Sequence, residues 1–172
     1  MNYKTLLLSL AFIIGLGAAA SEPVITRENA PEQLKWQLKD IYQDWNAWNA
    51  DLSKIKVLLD DLVSLQGTLG VSSDNMLKYY KLSDEMGKIG TTLYCYPYLL
   101  RSLDARDAEV NNRFQLIQAF FANAGQSLSW VSSELVSIPE KTAMEWVNSN
   151  QAFEPYRFKI ENMYRLQEHV LP

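Results

Sequence analysis

The sequence predicts an all-α protein: an antiparallel bundle of three long helices with shorter helices at the C-terminus, preceded by a signal peptide. Through most of the chain, apolar residues recur at alternating steps of three and four, which keeps them on one face of an α-helix. No segment alternates apolar and polar residues with the period of two typical of β-strands. The 172 residues, 48% of them hydrophobic and 21% charged, suffice for one domain with a substantial core.

The first twenty residues have the pattern of a secretory signal peptide. Lys4 gives a positive start, and the apolar run from Leu6 to Gly17 precedes small residues that end at Ala20. That run is shorter than the roughly 20 residues that span a bilayer, so a retained membrane helix is the weaker interpretation. We expect cleavage between Ala20 and Ser21, giving an exported protein, periplasmic or secreted, without a stable membrane anchor.

Residues 21–43 are predicted to be a linker and a lead-in arm. Pro23 and Pro31 punctuate a stretch that has few apolar residues. The aromatic-rich part after it, from Trp36 to Tyr42, is expected to lie over the helical body. That body, a helical lobe, is predicted to extend over residues 44–172.

The first long helix begins after Asp44, whose carboxylate can cap the free N–H groups of the first turn. Its apolar stripe has helical spacing, and Gly67 and Gly70 end the segment. The stripe comprises Trp45, Trp48, Leu52, Ile55, Leu59 and Leu62.

The second long helix begins at Ser72-Ser73-Asp74. Pro97 lacks a backbone N–H, and it is predicted to kink or break this helix near Tyr94 to Tyr96. Cys95 lies in the same apolar segment and is expected to be a buried structural thiol. As the only cysteine, it excludes an intrachain disulfide and a zinc ribbon.

The third helix is predicted to run unbroken from Asp107 to Ile138 as the spine of the lobe. Its apolar residues keep the three-four spacing throughout, and Asp107 can cap its start. Ser132-Ser133-Glu134 is interpreted as a solvated helix face. A short helix is predicted from Pro139 to Val147, with a last helix after the break at Asn148–Asn150.

The residues themselves point to no reaction. A formal charge of −4 disfavours nucleic acids and anionic membranes as partners. A catalytic zinc needs about three protein ligands, usually rich in histidine, and the single histidine here is His169. The sequence contains neither a phosphate-binding glycine loop nor a nucleophile elbow. We therefore assign no catalytic and no metal-binding residues, and we expect the chain alone to be inactive.

One group of side chains is a candidate for ligand contact. Tyr94, Tyr96 and Tyr98, together with Arg101, could line a cleft that accepts a peptide. The alternative is that these rings pack in the core, as aromatic stripes usually do. The candidates for a substrate cleft are Tyr94, Tyr98 and Arg101.

Four segments, read in order, resemble the N-terminal region of oligoendopeptidase F, in the M3 family of zinc metallopeptidases. Trp36-Gln-Leu-Lys-Asp-Ile-Tyr42 is similar to the family's opening Trp-x-Leu-x-Asp-Leu-Tyr, followed by its tryptophan-bearing helix. The segment from Leu93 to Asp107 resembles the family's tyrosine-bearing helix and acidic turn. Leu128 to Pro139 resembles the end of its long third helix, and Tyr156 to Leu171 resembles the helix leading into a His-x-Leu segment.

This resemblance implies a helical lobe that covers the substrate cleft of a peptidase and restricts it to short peptides. The family's zinc ligands, in His-Glu-x-x-His and a downstream Glu, belong to a later catalytic domain, so zinc is expected there and not in this chain. The implied partners are that catalytic domain of the same parent chain and short peptide substrates. The apolar ending Val170-Leu171-Pro172 also suggests a longer parent protein. The alternative is a free-standing exported helical module that binds a peptide or protein without catalysis.

Overall fold

A computed structural model describes residues 29–167, and every regular element among them is helical. This confirms the predicted all-α class for that part of the chain. The signal peptide, its cleavage site at Ala20–Ser21, and His169 lie outside the described residues. The α-helices are α1 (Trp45–Val63), α2 (Ser73–Leu103), α3 (Ala108–Ser127), α4 (Val131–Ser137), α5 (Glu140–Ser149) and α6 (Arg157–Gln167). Short 3-10 helices span Glu32–Leu34, Leu38–Asp40 and Gln151–Tyr156.

The chain divides into two units. The first ends at Trp36, and its described part contains the 3-10 helix Glu32–Leu34 with an ion pair of 2.7 Å between Lys35 Nζ and Glu32 Oε1. The second begins at Gln37 and contains all six α-helices. The buried cores and the candidate site both belong to this second unit.

Three helix starts are capped by side chains, and the caps at Asp44 and Asp107 are as the sequence predicts. The Asp44 carboxylate accepts hydrogen bonds from the backbone N–H groups of Asn46 (2.8 Å) and Ala47 (2.9 Å). Ser72 Oγ accepts a hydrogen bond from the backbone N–H of the third residue of α2. Asp107 Oδ1 accepts one from the backbone N–H of the third residue of α3. Each cap satisfies donors that the first helical turn leaves free.

Two clusters of buried side chains form the interior of the second unit, and α2 contributes to both. The N-terminal core comprises Tyr42, Trp48, Leu52, Ile55, Leu93, Tyr96, Phe114 and Ile117. The C-terminal core comprises Leu65, Leu69, Met76, Leu77, Tyr80, Val131, Leu135, Ile138, Ala143, Val147, Phe153, Ile160 and Tyr164. The first half of α2 therefore packs with α4, α5 and α6, and its second half packs with α1 and α3.

The helices α1 and α2 run in opposite directions. Trp48, near the start of α1, donates a hydrogen bond to the carbonyl of Leu93, in the second half of α2. Further along α1, Lys54 Nζ lies 2.7 Å from Glu85 Oε1, at an earlier position in α2. As the chain advances along α1, its contacts therefore move back along α2.

Tyr42, just before α1, forms hydrogen bonds with both α1 and α2. Its hydroxyl donates to Asp51 Oδ2 at 2.7 Å and forms a second hydrogen bond of 3.0 Å with Thr92 Oγ1. Burial raises the pKa of Tyr42 to about 12, so the hydroxyl remains protonated and able to donate at neutral pH.

Of the kink or break predicted near Tyr94 to Tyr96, the break is wrong, because α2 continues through Pro97 to Leu103. A proline at position 97 cannot supply the N–H that would bond to the carbonyl four residues earlier, at Leu93. The indole Nε1–H of Trp48 donates to that carbonyl oxygen instead, at 2.9 Å. The orphaned acceptor is thus satisfied from α1, which removes one of the two costs of proline inside a helix.

The predicted unbroken spine from Asp107 to Ile138 is also wrong, since α3 ends at Ser127 and α4 begins at Val131. In a continuous helix, the Val131 N–H would bond to the Ser127 carbonyl. It donates instead to the Leu128 carbonyl at 3.1 Å, and the Trp130 indole N–H donates to the Ser127 carbonyl at 2.9 Å. Gly125 and the nearby serines are weak helix formers, which favours a turn at this place.

Glu134 differs from the solvated side chain that the sequence predicts. Its half-buried carboxylate accepts hydrogen bonds from the backbone N–H groups of Gly67 at 2.7 Å and Leu69 at 2.6 Å. Gly67 has a φ of 79°, a conformation that glycine adopts without the steric cost of a Cβ. Glu134 therefore fastens the turn between α1 and α2 onto α4.

Among the residues described, no helix combines the length and the apolar character that a membrane crossing requires.

Candidate functional site

One face of α2 carries the three predicted cleft residues. Gly87, Thr91, Tyr94, Tyr98 and Arg101 succeed one another at steps of four and three, which places them along one side of the helix. Helix α3 lies beside this face, and two pockets open along the pair of helices, with the rings of Tyr94, Tyr98 and Phe114 between them. We call the two pockets and these rings together the α2–α3 groove; its residues are Gly87, Gly90, Thr91, Tyr94, Cys95, Tyr98, Arg101, Asn111, Phe114, Gln115, Gln118 and Phe121.

Aromatic rings form the middle of the groove. Tyr94 and Tyr98 are stacked, with centroids 5.9 Å apart and an interplanar angle of 18°. Phe114 of α3 lies 5.2 Å from the Tyr94 ring and 6.0 Å from the Tyr98 ring, measured between centroids. Tyr98 remains 47% exposed and Tyr94 is half-buried, so both rings offer surface to a ligand. Tyr96, by contrast, is buried in the N-terminal core.

The end of the groove near Gly87 is an apolar depression of about 270 Å³. Gly87 and Gly90 leave the surface of α2 without side chains here. A Cβ on Gly90 would lie 3.0 Å from Phe121 Cζ, so glycine allows this ring to rest against the helix. A Cβ on Gly87 would meet nothing within 4 Å.

Cys95 borders the same depression and is half-buried. The expectation of a fully buried thiol is therefore wrong. The side chain comes directly after Tyr94 on the helix and lies at the margin of the N-terminal core, because the buried positions next to it are Leu93 and Tyr96.

These glycines allow a prediction about stability. Replacing Gly87 by alanine should stabilise the protein by about 0.5–1 kcal/mol, because alanine costs less conformational entropy in a helix and its Cβ has space. Gly90→Ala brings the same gain but forces Phe121 to move, so its midpoint of urea denaturation should be lower than that of Gly87→Ala. Gly125→Ala, also without a neighbour within 4 Å, is the matched control and should behave like Gly87→Ala. Equal midpoints for Gly87→Ala and Gly90→Ala would contradict the close packing at Phe121.

The opposite end of the groove is polar. Arg101 Nε donates to Asn111 Oδ1 at 2.9 Å, and the guanidinium carbon lies 5.5 Å from the centre of the Phe114 ring. Within the described part of the chain, the two Nη atoms of Arg101 have no hydrogen-bond or ion-pair partner. They border a pocket of about 170 Å³ whose other lining residues include Gln115 and Gln118. An exposed cation with free donors can bind a carboxylate there.

The residues present do not fit a zinc ion. Within residues 29–167, no three His, Cys, Asp or Glu side chains lie close enough together to hold a metal. The single histidine of the sequence, His169, is outside that range. What the groove offers is a set of contacts for binding.

The sequence predicts the α2 side of the groove but not the α3 side. Helical spacing relates Tyr94, Tyr98 and Arg101 to one another. Phe114 and Phe121 belong to the predicted spine, and nothing in the sequence indicates that they contact the tyrosines. Contacts between helices depend on how the helices are aligned, which cannot be derived from the spacing within either helix. The glycines at 87 and 90 are a usable signal, since two small residues on one helical face often mark a depression or a close approach.

Comparisons with known proteins agree with the resemblance noted in the sequence. A family model described as Oligopeptidase F matches residues 134–172. The chromosomal oligoendopeptidase F of Lactococcus lactis subsp. cremoris is 26% identical over 151 residues, covering 86% of this chain and 25% of the relative. Oligopeptidase PepF of Bacillus subtilis (strain 168) is 22% identical over 136 residues, covering 79% of this chain and 20% of the relative.

The chain thus spans a quarter or less of the length of these relatives. No solved structure matches it. The family model and the relatives, which cover most of the chain, confirm a similarity to the N-terminal region of oligoendopeptidase F.

Proposed function

We propose that this chain, which is similar to the N-terminal region of oligoendopeptidase F, is the helical lobe that covers the substrate cleft of an exported peptidase. The observation that carries this proposal is the match over 86% of the chain to one quarter of a much longer oligoendopeptidase F. The lobe would restrict the cleft to short peptides by leaving no room for folded chains. Its partner is the catalytic domain of the same parent polypeptide.

In this proposal, the chain contributes binding and exclusion, and the zinc chemistry belongs to a later domain. The described residues contain no cluster that could hold zinc. The three cleft candidates, Tyr94, Tyr98 and Arg101, lie on one exposed face, where they can contact a peptide. Export, to the periplasm or outside the cell, is supported by the basic and apolar pattern of residues 1–20.

The function of the chain is tested by measuring metal content and peptidase activity. The purified chain should bind no stoichiometric zinc and should cleave no quenched fluorogenic peptide, because residues 29–167 hold no cluster of His, Cys, Asp or Glu side chains that could bind a metal. A parent polypeptide that continues into a His-Glu-x-x-His segment should do both. Zinc-dependent turnover by the purified chain itself would overturn the proposal.

Size selection is tested in the parent. Deleting the region that corresponds to this chain should change which substrates are cleaved. Supplying the region again in trans should reverse that change. The parent should cleave short peptides and leave unfolded casein intact, and the deletion should reduce that distinction. An unchanged preference for short peptides after deletion, with activity retained, would contradict a covering role.

A second candidate is a free-standing exported helical module that binds a peptide or protein. It is favoured by the groove itself, which residues of this chain form without help from another domain. The reading frame downstream of Pro172 distinguishes the two candidates. A continuation with His-Glu-x-x-His supports the peptidase lobe, and a stop codon supports the module.

A further inference from the structure

We propose that the α2–α3 groove binds a short extended peptide with a large apolar side chain at the Gly87 end and a carboxylate at the Arg101 end. This deepens the proposed function by stating which peptide chemistry the lobe recognises, and it rests on the role of the lobe in shaping a substrate cleft. The occupant is a free peptide of about five residues. Three features of the groove support this choice.

The first feature is the apolar end. The depression of about 270 Å³ between Gly87 and Phe121 is large enough for one aromatic or branched aliphatic side chain. Its walls are the Tyr94 and Phe121 rings, and its floor is the backbone of α2 at Gly87, where a Cβ would meet nothing within 4 Å. Burying an apolar side chain there removes apolar surface from water on both partners.

The second feature is the charge at the other end. Arg101 offers free Nη donors, and it is held in place by its Nε bond to Asn111 and by the Phe114 ring below the guanidinium. Among the described residues, no acidic side chain lines this pocket, and the remaining polar residues include the neutral amides of Gln115 and Gln118. Although the chain carries a formal charge of −4, this place is locally positive and complementary to a carboxylate.

The third feature is the distance between the two ends. Gly90 and Arg101 are eleven positions apart on one helix, which corresponds to about 16 Å at 1.5 Å per residue. An extended peptide covers that distance with about five residues at roughly 3.3 Å each. Between the ends, the exposed Tyr98 and the half-buried Tyr94 give the peptide a flat aromatic wall.

The probe is the peptide Phe-Ala-Ala-Ala-Glu with both termini blocked, and its matched control has Gln in place of Glu. Titrated into the ¹⁵N-labelled chain, the Glu peptide should shift the amide resonances of Gly87 and Gly90 and bind about threefold to fivefold more tightly than the Gln peptide. It should also slow alkylation of Cys95 by iodoacetamide. The alkylation rate reports on this site alone, because the chain has a single cysteine.

Two variants test the two ends. Arg101→Gln should bind both peptides equally, at the affinity that the wild type shows for the Gln peptide. Gly87→Leu should weaken binding of both peptides at least about fivefold by filling the apolar end, whereas Ser133→Leu, at an exposed position of α4 away from the groove, should leave binding unchanged.

The proposal is overturned if neither peptide shifts the glycine resonances, if Arg101→Gln still discriminates between them, or if Gly87→Leu binds like Ser133→Leu. Protection of Cys95 that rises with protein concentration and without peptide would identify a second copy of the chain as the occupant, and would likewise overturn it. These results are independent of metal content and of turnover by a parent protein, so failure here is distinguishable from failure of the proposed function.

Discussion

Replacing Trp48 by phenylalanine should lower the free energy of unfolding by about 1–3 kcal/mol, because it leaves the buried Leu93 carbonyl without a donor. An aromatic ring remains, so most of the apolar contact in the N-terminal core is kept. Trp146→Phe is the control, since its indole N–H makes no hydrogen bond within the described chain. Urea denaturation followed by circular dichroism measures both changes.

The cause of the Trp48 effect is tested by combining it with Pro97→Ala. Alanine restores the N–H that can bond to the Leu93 carbonyl inside α2, so the carbonyl no longer depends on Trp48. In the Pro97→Ala background, Trp48→Phe should therefore cost at least about 1 kcal/mol less than in the wild type. Equal costs in the two backgrounds would show that the indole hydrogen bond does not compensate for the proline.

Replacing Glu134 by alanine should lower the free energy of unfolding by about 2–3 kcal/mol. The carboxylate accepts two backbone hydrogen bonds, from Gly67 and Leu69, and both donors lose a charged partner in the variant. Glu134→Gln should cost less, because one amide oxygen can still accept from one of the two N–H groups. The loss should also show as faster amide exchange at Gly67 and Leu69.

The control for Glu134 is Glu145→Ala, which removes an exposed carboxylate from α5. It should change stability by no more than about 0.5 kcal/mol, as surface substitutions usually do. A loss at Glu134 no larger than the loss at Glu145 would contradict a structural role for the carboxylate. Because Glu134 joins α4 to the turn between α1 and α2, we expect the melting temperature to fall in Glu134→Ala as well.

The features that can be predicted from the sequence are local ones. Asp44, Ser72 and Asp107 each accept a hydrogen bond from a residue no more than three positions later, so their capping roles depend on neighbouring residues alone. The apolar stripes predict which helix faces are buried, and most of the α1 stripe lies in the N-terminal core. The fold class is therefore accessible from spacing alone.

The features that could not be predicted depend on contacts between distant residues. Pro97 is accommodated by Trp48, which lies on another helix, and Glu134 binds a turn far earlier in the chain. Both contacts arise from the packing of helices, which local propensity does not determine. For the same reason, spacing places Tyr94 and Tyr98 on one face but does not pair them with Phe114.

The sharing of α2 between the two cores has a consequence for cooperativity. Met76 to Tyr80 and Leu93 to Tyr96 anchor one continuous helix in different clusters, so melting either cluster would expose a long helical rod that is only marginally stable by itself. The stretch between the anchors, around Gly87, contributes partly buried side chains such as Met86 and Ile89, and this weaker packing makes it the natural place for transient opening. Both cores should therefore melt in a single transition, with the earliest hydrogen exchange in α2 at its midpoint, beside the ligand groove.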